Sequence, residues 1–356
     1  MSSREHDAMV LNSKGSALVR VSRPTPTPGP HEVIIEVRTI ALNPVDHIQQ
    51  SRGFKITKYP YVLGFDVAGI IHMIGSSVSG IVVGDRVTAM ASSWFSQMND
   101  HGAFQQYVLV PIEQITHIPT TMPFTEAVLL PLAVFTAWFA ILNLDIPRDT
   151  VYQSNAKKGI LIWGVGGSVG SIALQLAKSM GFHVYATASE KHHSYLQSLG
   201  NGPGTVKLFD YKHKAVVKNI IDAIRSDGVT IDVAIEAAAG NLKDIVRIVR
   251  KTKSPSTHRP KIAAAPFSMS LLWYGFIVPS FISGVQVTFV EPPTDPVVRN
   301  NDLAFIYNTW LTEKLKSSEI VPSPKVKVVP GGLSGLNDGL AELKAGVSGV
   351  KLVLEL

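Results

Sequence analysis

Among 356 residues there is no cysteine, which excludes disulfides, a thiolate nucleophile and thiolate-ligated zinc. Charge is sparse too. Asp, Glu, Lys and Arg make up 17% of the chain against 46% hydrophobic residues, which excludes a disordered chain, allows a sizeable core and, at this length, predicts two domains. MSSREHDAMVLNSKG at the start holds no apolar signal segment and Leu354-Glu-Leu356 is no address signal, so the expected compartment is the cytoplasm. Internal repeats are missing, and the one biased tract is a Pro-Thr run from Pro24 to Pro30.

A net charge of +6 raises nucleic acid or an anionic membrane as partners. The cations are scattered instead: Lys157 and Lys158, Lys212 to Lys214, Lys251 and Lys253, and Lys325 and Lys327 form separate groups without interleaved aromatics, so no nucleic acid is expected. From Lys261 to Glu291 no charged side chain intervenes, a span long enough for a bilayer. Pro266, Gly275, Pro279, Gly284 and several serines interrupt it, so no membrane span is expected. The apolar loop 266–284, with Leu271, Leu272, Trp273, Tyr274 and Phe276, is open to four uses: the wall of an apolar pocket, a subunit contact, a membrane-surface contact or a core cover.

What is present centres on Gly164 to Gly181, GVGGSVGSIALQLAKSMG. The apolar run from Gly159 to Trp163 predicts a buried strand before it, and Ile172, Leu174, Leu176 and Ala177 predict a helix after it. Gly164, Gly166, Gly167 and Gly170 suit a tight turn, close approach of a bulky anion and close helix packing, at a spacing one residue longer than the usual dinucleotide fingerprint. With Ser168 and Val169 opening the helix, its N-terminus offers N–H groups to a pyrophosphate.

Before this stretch, Ala17 to Val21 and Glu32 to Leu42 read as strands, with Pro24, Pro26, Pro28 and Pro30 between them as a connector that stays out of any ladder. Asp46 to Ser51 reads as a short helix capped by its opening residues, and the glycine-spaced strands that follow predict a twisted antiparallel barrel. After it, His183 to Thr187, Leu208 to Asp210, Ile231 to Glu236, Lys261 to Ala265 and Val285 to Val290 predict a parallel sheet, with helices near His213 to Arg225 and Asp302 to Lys316.

The succession Leu42-Asn-Pro-Val-Asp46, Leu63-Gly-Phe-Asp-Val-Ala-Gly69, Gly84-Asp-Arg-Val87, Gly102-Ala-Phe-Gln-Gln-Tyr107, Leu130-Pro-Leu-Ala133, Thr136-Ala137, the glycine stretch, Gly331-Gly-Leu333 and Ser348-Gly-Val-Lys-Leu-Val353 resembles the medium-chain dehydrogenases/reductases. Within them it is similar to the zinc-free branch of quinone oxidoreductases and fungal trans-acting enoyl reductases. The resemblance covers nearly the whole chain. It implies an α/β protein in which a GroES-like β-barrel catalytic domain, 1–128 and 308–356, is interrupted by a doubly wound Rossmann domain at 129–307. Zinc-dependent relatives carry a Cys at about Asn43, a His-Glu pair at Phe65-Asp66, and structural cysteines in the loop matching Ser92 to His101. None is present here, so a metal-free enzyme is expected.

An acidic residue after the second parallel strand would accept the ribose hydroxyls of NADH; this chain places Ser189, Lys191 and His192 there, which suits the 2′-phosphate of NADPH. Glu190 either points outward or reverses that choice. By resemblance Tyr195 touches the phosphate, with a half-buried helix position as the alternative, and Phe289, Val290 and Lys351 join the cofactor set.

The expected reaction is hydride transfer from NADPH to an activated carbon–carbon double bond in a small apolar substrate, an enone or an enoyl thioester. Quinone or carbonyl reduction is the rival activity, and a non-catalytic cofactor-binding protein with an RNA or protein partner is the rival class. Asn43, His47 and Thr136 are the candidate catalytic residues, beside Asp46, Lys55, Tyr59 and Tyr61. His47 is either a proton donor or carbonyl-orienting group, or a solvent-facing helix residue. Thr136 reaches the nicotinamide ribose or amide, or is a core threonine. Many relatives have Lys or Tyr at Ile48, which leaves the proton donor unassigned and solvent as a candidate. A polyketide synthase carrier domain is a partner that the resemblance suggests, and relatives include monomers and homodimers.

Overall fold

The structure, a computed structural model, describes residues 5–91, 93–266 and 284–356. The interior of the apolar loop therefore lies outside the described residues. Two compact units account for the rest: Met1–Leu132 with Asp295–Ser318 and Pro322–Leu356, and Ala133–Thr294 with Glu319–Val321.

In the first unit, β1 (Glu5–Leu11) pairs antiparallel with β2 (Leu18–Pro24), and β3 (Glu32–Ala41) follows. Pro24, expected to stay out of a ladder, pairs with Glu5 at the end of β2. It is tolerated because β2 is the outer strand of a three-stranded sheet in which β1 pairs on its other side with Tyr61–Val62, so a missing N–H breaks no second ladder. β3 is buried at its apolar positions Val33, Ile34, Ile35, Val37, Ile40 and Ala41. Two register shifts along its pairing with β5 (Asp66–Ile74) bend it, as a closing sheet requires.

Between those strands α1 (Pro44–Arg52) starts with Asn43 as N-cap and Pro44 in the first turn, and it stops at Gly53 in the left-handed region (φ 66°). After β4 (Tyr61–Val62), β6 (Arg86–Met90), β7 (Tyr107–Pro111) and β8 (Ile115–His117) complete the N-terminal part of the barrel. Helix α2 (Pro131–Asn143) is apolar on all sides. Among the described residues, the stretch Phe124–Asn143 is long and apolar enough to cross a membrane, and 67% of that apolar window is buried within the protein.

The second unit is a six-stranded parallel sheet in the order β11-β10-β9-β12-β13-β14, the doubly wound arrangement expected from the sequence. Its strands are β9 (Lys158–Trp163), β10 (His183–Ala188), β11 (Thr205–Asp210), β12 (Thr230–Glu236), β13 (Lys261–Ala264) and β14 (Gln286–Phe289). Helices α3 (Ser168–Ser179), α4 (Val216–Ser226) and α5 (Leu242–Thr252) cover it. The apolar positions Val216, Ile220, Ile221 and Ile224, and Leu242, Ile245, Val246 and Val249, recur at helical spacing and are buried against the strands.

The chain returns to the first unit at α6 (Pro296–Ala304), capped by the Asp295 carboxylate. The compact units divide at 132/133 and 294/295; the sequence reading places the domain boundaries at 128/129 and 307/308. Residues 295–307 fall with the barrel because the π-helical segment that continues α6, Phe305–Leu311, is tied to it: Thr116 Oγ1 donates to the Tyr307 carbonyl (2.8 Å), and the Asn308 amide donates to the carbonyls of Ile112 (2.9 Å) and Ile115 (2.8 Å). Then β15 (Lys325–Val328), α7 (Leu336–Ala345) and β16 (Val350–Glu355) close the seven-stranded sheet, with β16 antiparallel to β3.

Candidate functional site

Parallel register brings the ends of β10, β9, β12 and β13 to one edge of the sheet, through Thr187 beside Trp163, Trp163 beside Glu236, and Glu236 beside Ala264. The glycine corner leaves β9 at that edge. Its four glycines divide into two kinds. Gly164 has φ +96° and a Cβ there would lie 2.4 Å from the Ala238 Cβ; a Cβ on Gly170 would lie 2.3 Å from the Gly164 carbonyl oxygen. Those two are required by the fold itself. Among the described residues, Cβ atoms on Gly166 and Gly167 would meet nothing within 4 Å, so the bare backbone there is open to approach.

Thr187 pins the corner from β10. Its Oγ1 accepts the Gly164 N–H (3.0 Å) and its carbonyl accepts the Val165 N–H (2.9 Å). Helix α3 then begins with Gly167 as N-cap and no side-chain cap, so the first-turn N–H groups of Ser168, Val169 and Gly170 point out of the helix end. Unclaimed donors, positive dipole and open approach suit an anion such as a dinucleotide diphosphate.

Beyond β10, Ser189 is half-buried, Glu190 and Lys191 are exposed, and His192 and Tyr195 are half-buried. Ser189 Oγ donates to the hydroxyl of Tyr211 (3.3 Å), whose ring lies 5.9 Å from the Lys212 ammonium. Tyr211 escaped the sequence reading. The signal is the Asp210-Tyr-Lys212 that ends β11, which becomes informative only once β11 is known to pair with β10, Asp210 beside Ala188. Phe289 is half-buried and Val290 buried, at the end of the edge strand β14.

In the first unit, Asn43, Asp46, Asp66 and Lys351 form one buried polar cluster. Asp66 Oδ2 accepts from the Asn43 amide (2.8 Å) and the Lys351 ammonium (2.5 Å), while Oδ1 accepts the Leu132 N–H at the start of α2 (2.6 Å). Lys351 also donates to the Leu129 carbonyl (3.2 Å) and is 3% exposed. The lysine assigned to the cofactor by resemblance is therefore engaged inside the barrel, where it neutralises Asp66. Among the described residues no three His, Asp or Glu side chains converge as metal ligands.

Asp46, also fully buried, accepts the Asn43 N–H at Oδ2 (2.7 Å), and its Oδ1 has no partner among the described residues. Burial is the dominant cause that pushes its carboxyl up to about 8; the Asn43 N–H opposes this, and the Asp66 charge adds to it. The sign follows from linkage. The folded pKa lies above the unfolded one of 3.8, so the folded state binds the extra proton and loses stability as pH rises toward 8. Between pH 6 and pH 8, wild type is expected to lose about 2 kcal/mol relative to Asp46→Asn in urea unfolding. Parallel pH profiles for the two proteins would show that Asp46 is not held neutral.

His47, one residue on, is half-buried, and its pKa is lowered by burial and by Lys344 and Arg52. All three favour its uncharged form. Thr136 is half-buried in the second turn of α2. Lys55 (φ 53°) lays its ammonium 4.6 Å from the ring centre of Trp94, and Tyr61 is buried at 2% exposure.

The order of the parallel sheet, the glycine corner at its edge and a barrel interrupted by that sheet in sequence define a two-unit α/β architecture of the dinucleotide-binding type. The alcohol dehydrogenase GroES-like domain family matches residues 29–120. The chain is 39% identical to the trans-enoyl reductase tndF of Aspergillus flavipes over 99% of both chains. It is 41% identical to the trans-enoyl reductase tazE of Aspergillus terreus over 83% of this chain and 95% of that one. The CurK enoyl reductase structure superposes with a TM-score of 0.72 over 98% of this chain and 99% of that one, at 20% identity. The chain belongs to the medium-chain dehydrogenase/reductase superfamily, in the branch of the fungal trans-enoyl reductases.

Proposed function

We propose that the chain is a cytoplasmic, zinc-independent, NADPH-dependent reductase of an activated carbon–carbon double bond, acting on an enone or an enoyl thioester of polyketide type. The observation that carries this reading is the open backbone at Gly166 and Gly167 ahead of an uncapped helix end. When bound, the cofactor supplies the hydride that adds to the electron-poor carbon. The N–H groups of Ser168, Val169 and Gly170 hold the diphosphate. Ser189 and Tyr211, with Lys191, His192 and Tyr195 nearby, hold the 2′-phosphate. Thr136 is assigned to the nicotinamide ribose or amide, and Phe289 and Val290 to the ring's surroundings.

Asn43 acts by position, because its amide is spent on Asp66 and fixes the start of α1. Neutral His47 orients the substrate carbonyl, and the final proton comes from solvent. The enoyl thioester assignment follows the names of the full-length relatives, and it makes a polyketide synthase carrier domain the expected partner. NADPH consumption with an enoyl thioester, an enone, a quinone and an aldehyde tests the reading. The enoyl thioester is expected to give the highest kcat/KM, and a lead by the quinone or aldehyde would overturn it. Ser189→Asp is expected to shift the NADPH-to-NADH preference toward NADH by about a hundredfold, since a carboxylate repels the phosphate and accepts from ribose.

A further inference from the structure

Glu236, the last residue of β12, is fully buried. Its Oε1 accepts the Asn241 N–H (2.9 Å), and the N–H groups of Gly240 and Leu242 also serve this carboxylate, which thereby caps the start of α5. Oε2 is buried and has no partner among the described residues. The Asn241 amide closes the turn by donating to the carbonyls of Ala238 (3.1 Å) and Ala239 (3.0 Å). Ala238 is the residue that occupies the space beside Gly164. One carboxyl group thus holds the turn on which the glycine corner rests.

The two oxygens pull its ionisation in opposite directions. Three N–H groups favour the carboxylate; the burial that leaves Oε2 bare favours the acid and dominates, so the group is pushed up to about 7. No charged side chain contributes. Trp163 on β9 and Ala264 on β13 flank it, Lys158 and Lys261 lie at the far ends of those strands, and the first turn of α5 carries exposed Lys243 and half-buried Asp244.

We propose that Glu236 takes up a proton when the glycine corner receives the dinucleotide, so that cofactor affinity is proton-linked. The inference rests on the corner's being the dinucleotide site. A diphosphate brought beside a group poised between its two states favours the neutral one, and by linkage affinity then falls as pH rises through neutrality. Glu236 is in this sense a positioning residue whose charge state the ligand senses.

Calorimetric titration of the protein with NADPH at pH 7, in buffers of different ionisation enthalpy, counts the protons. The expected uptake is roughly 0.4 proton per site, with affinity falling about fivefold from pH 6.5 to pH 8.5. ADP-ribose, which carries the diphosphate without a 2′-phosphate, is expected to give the same uptake, and Glu236→Gln to abolish it while retaining binding. Zero uptake by wild type with both ligands would overturn the proposal, as would uptake that persists in Glu236→Gln. The wild-type measurement decides even if that variant does not fold. Failure of either ligand to bind at all would instead sink the dinucleotide reading itself.

Discussion

A Gly166→Val variant is expected to melt at the wild-type temperature and to lose NADPH affinity by at least about a hundredfold, close to 3 kcal/mol. The stability half of this follows from the empty space around a Cβ at that position and from a backbone outside the left-handed region. The binding half follows from what occupies that space when a diphosphate approaches the start of α3. Gly170→Ala provides the contrast. Its Cβ would press on the Gly164 carbonyl at 2.3 Å, so that variant is expected to lower the melting temperature as well. Fluorescence titration with NADPH beside thermal unfolding reads both, and a Gly166→Val protein that binds like wild type would remove the corner from the site.

Lys351→Met is expected to cost about 3–5 kcal/mol of stability, because it strands the Asp66 carboxylate in the barrel without its cation. The Asn43 amide and the Leu132 N–H remain, but neither carries charge. The double variant Asp66→Asn with Lys351→Met is expected to recover most of the loss, since both ionic partners are then gone. NADPH affinity of the folded Lys351→Met protein is expected to be unchanged. A large affinity loss at modest stability cost would return Lys351 to the cofactor, as the resemblance had it.

Local patterns made much of the second unit legible. The apolar run of β9, the glycines and the spacing of Ile172, Leu174 and Leu176 lie within one short stretch, whereas the helix α5 at Leu242–Thr252 was not among the expected elements. What stayed hidden depends on partners distant in sequence. Tyr211 gains meaning from the neighbouring strand end, 22 residues from Ser189, and Pro24 is acceptable only because β2 is an outer strand. Lys351 looked like part of a tail motif, yet its partner Asp66 lies 285 residues earlier. The bonds that tie Tyr307 and Asn308 to the barrel span more than 190 residues, so no local pattern announces them. Glu236 read as a strand terminus; that one of its oxygens has no partner is a property of packing.

The separation between Asp66 and Lys351 also orders events during synthesis. A ribosome releases the first 132 residues with the central strand β3 still waiting for β16 and with Asp66 still lacking its counter-ion. The intervening 162 residues form a unit whose sheet needs nothing made later except the short return at Glu319–Val321. The second unit is thus positioned to fold while the first is incomplete, and β16, made after it, completes the sheet to which β3 belongs.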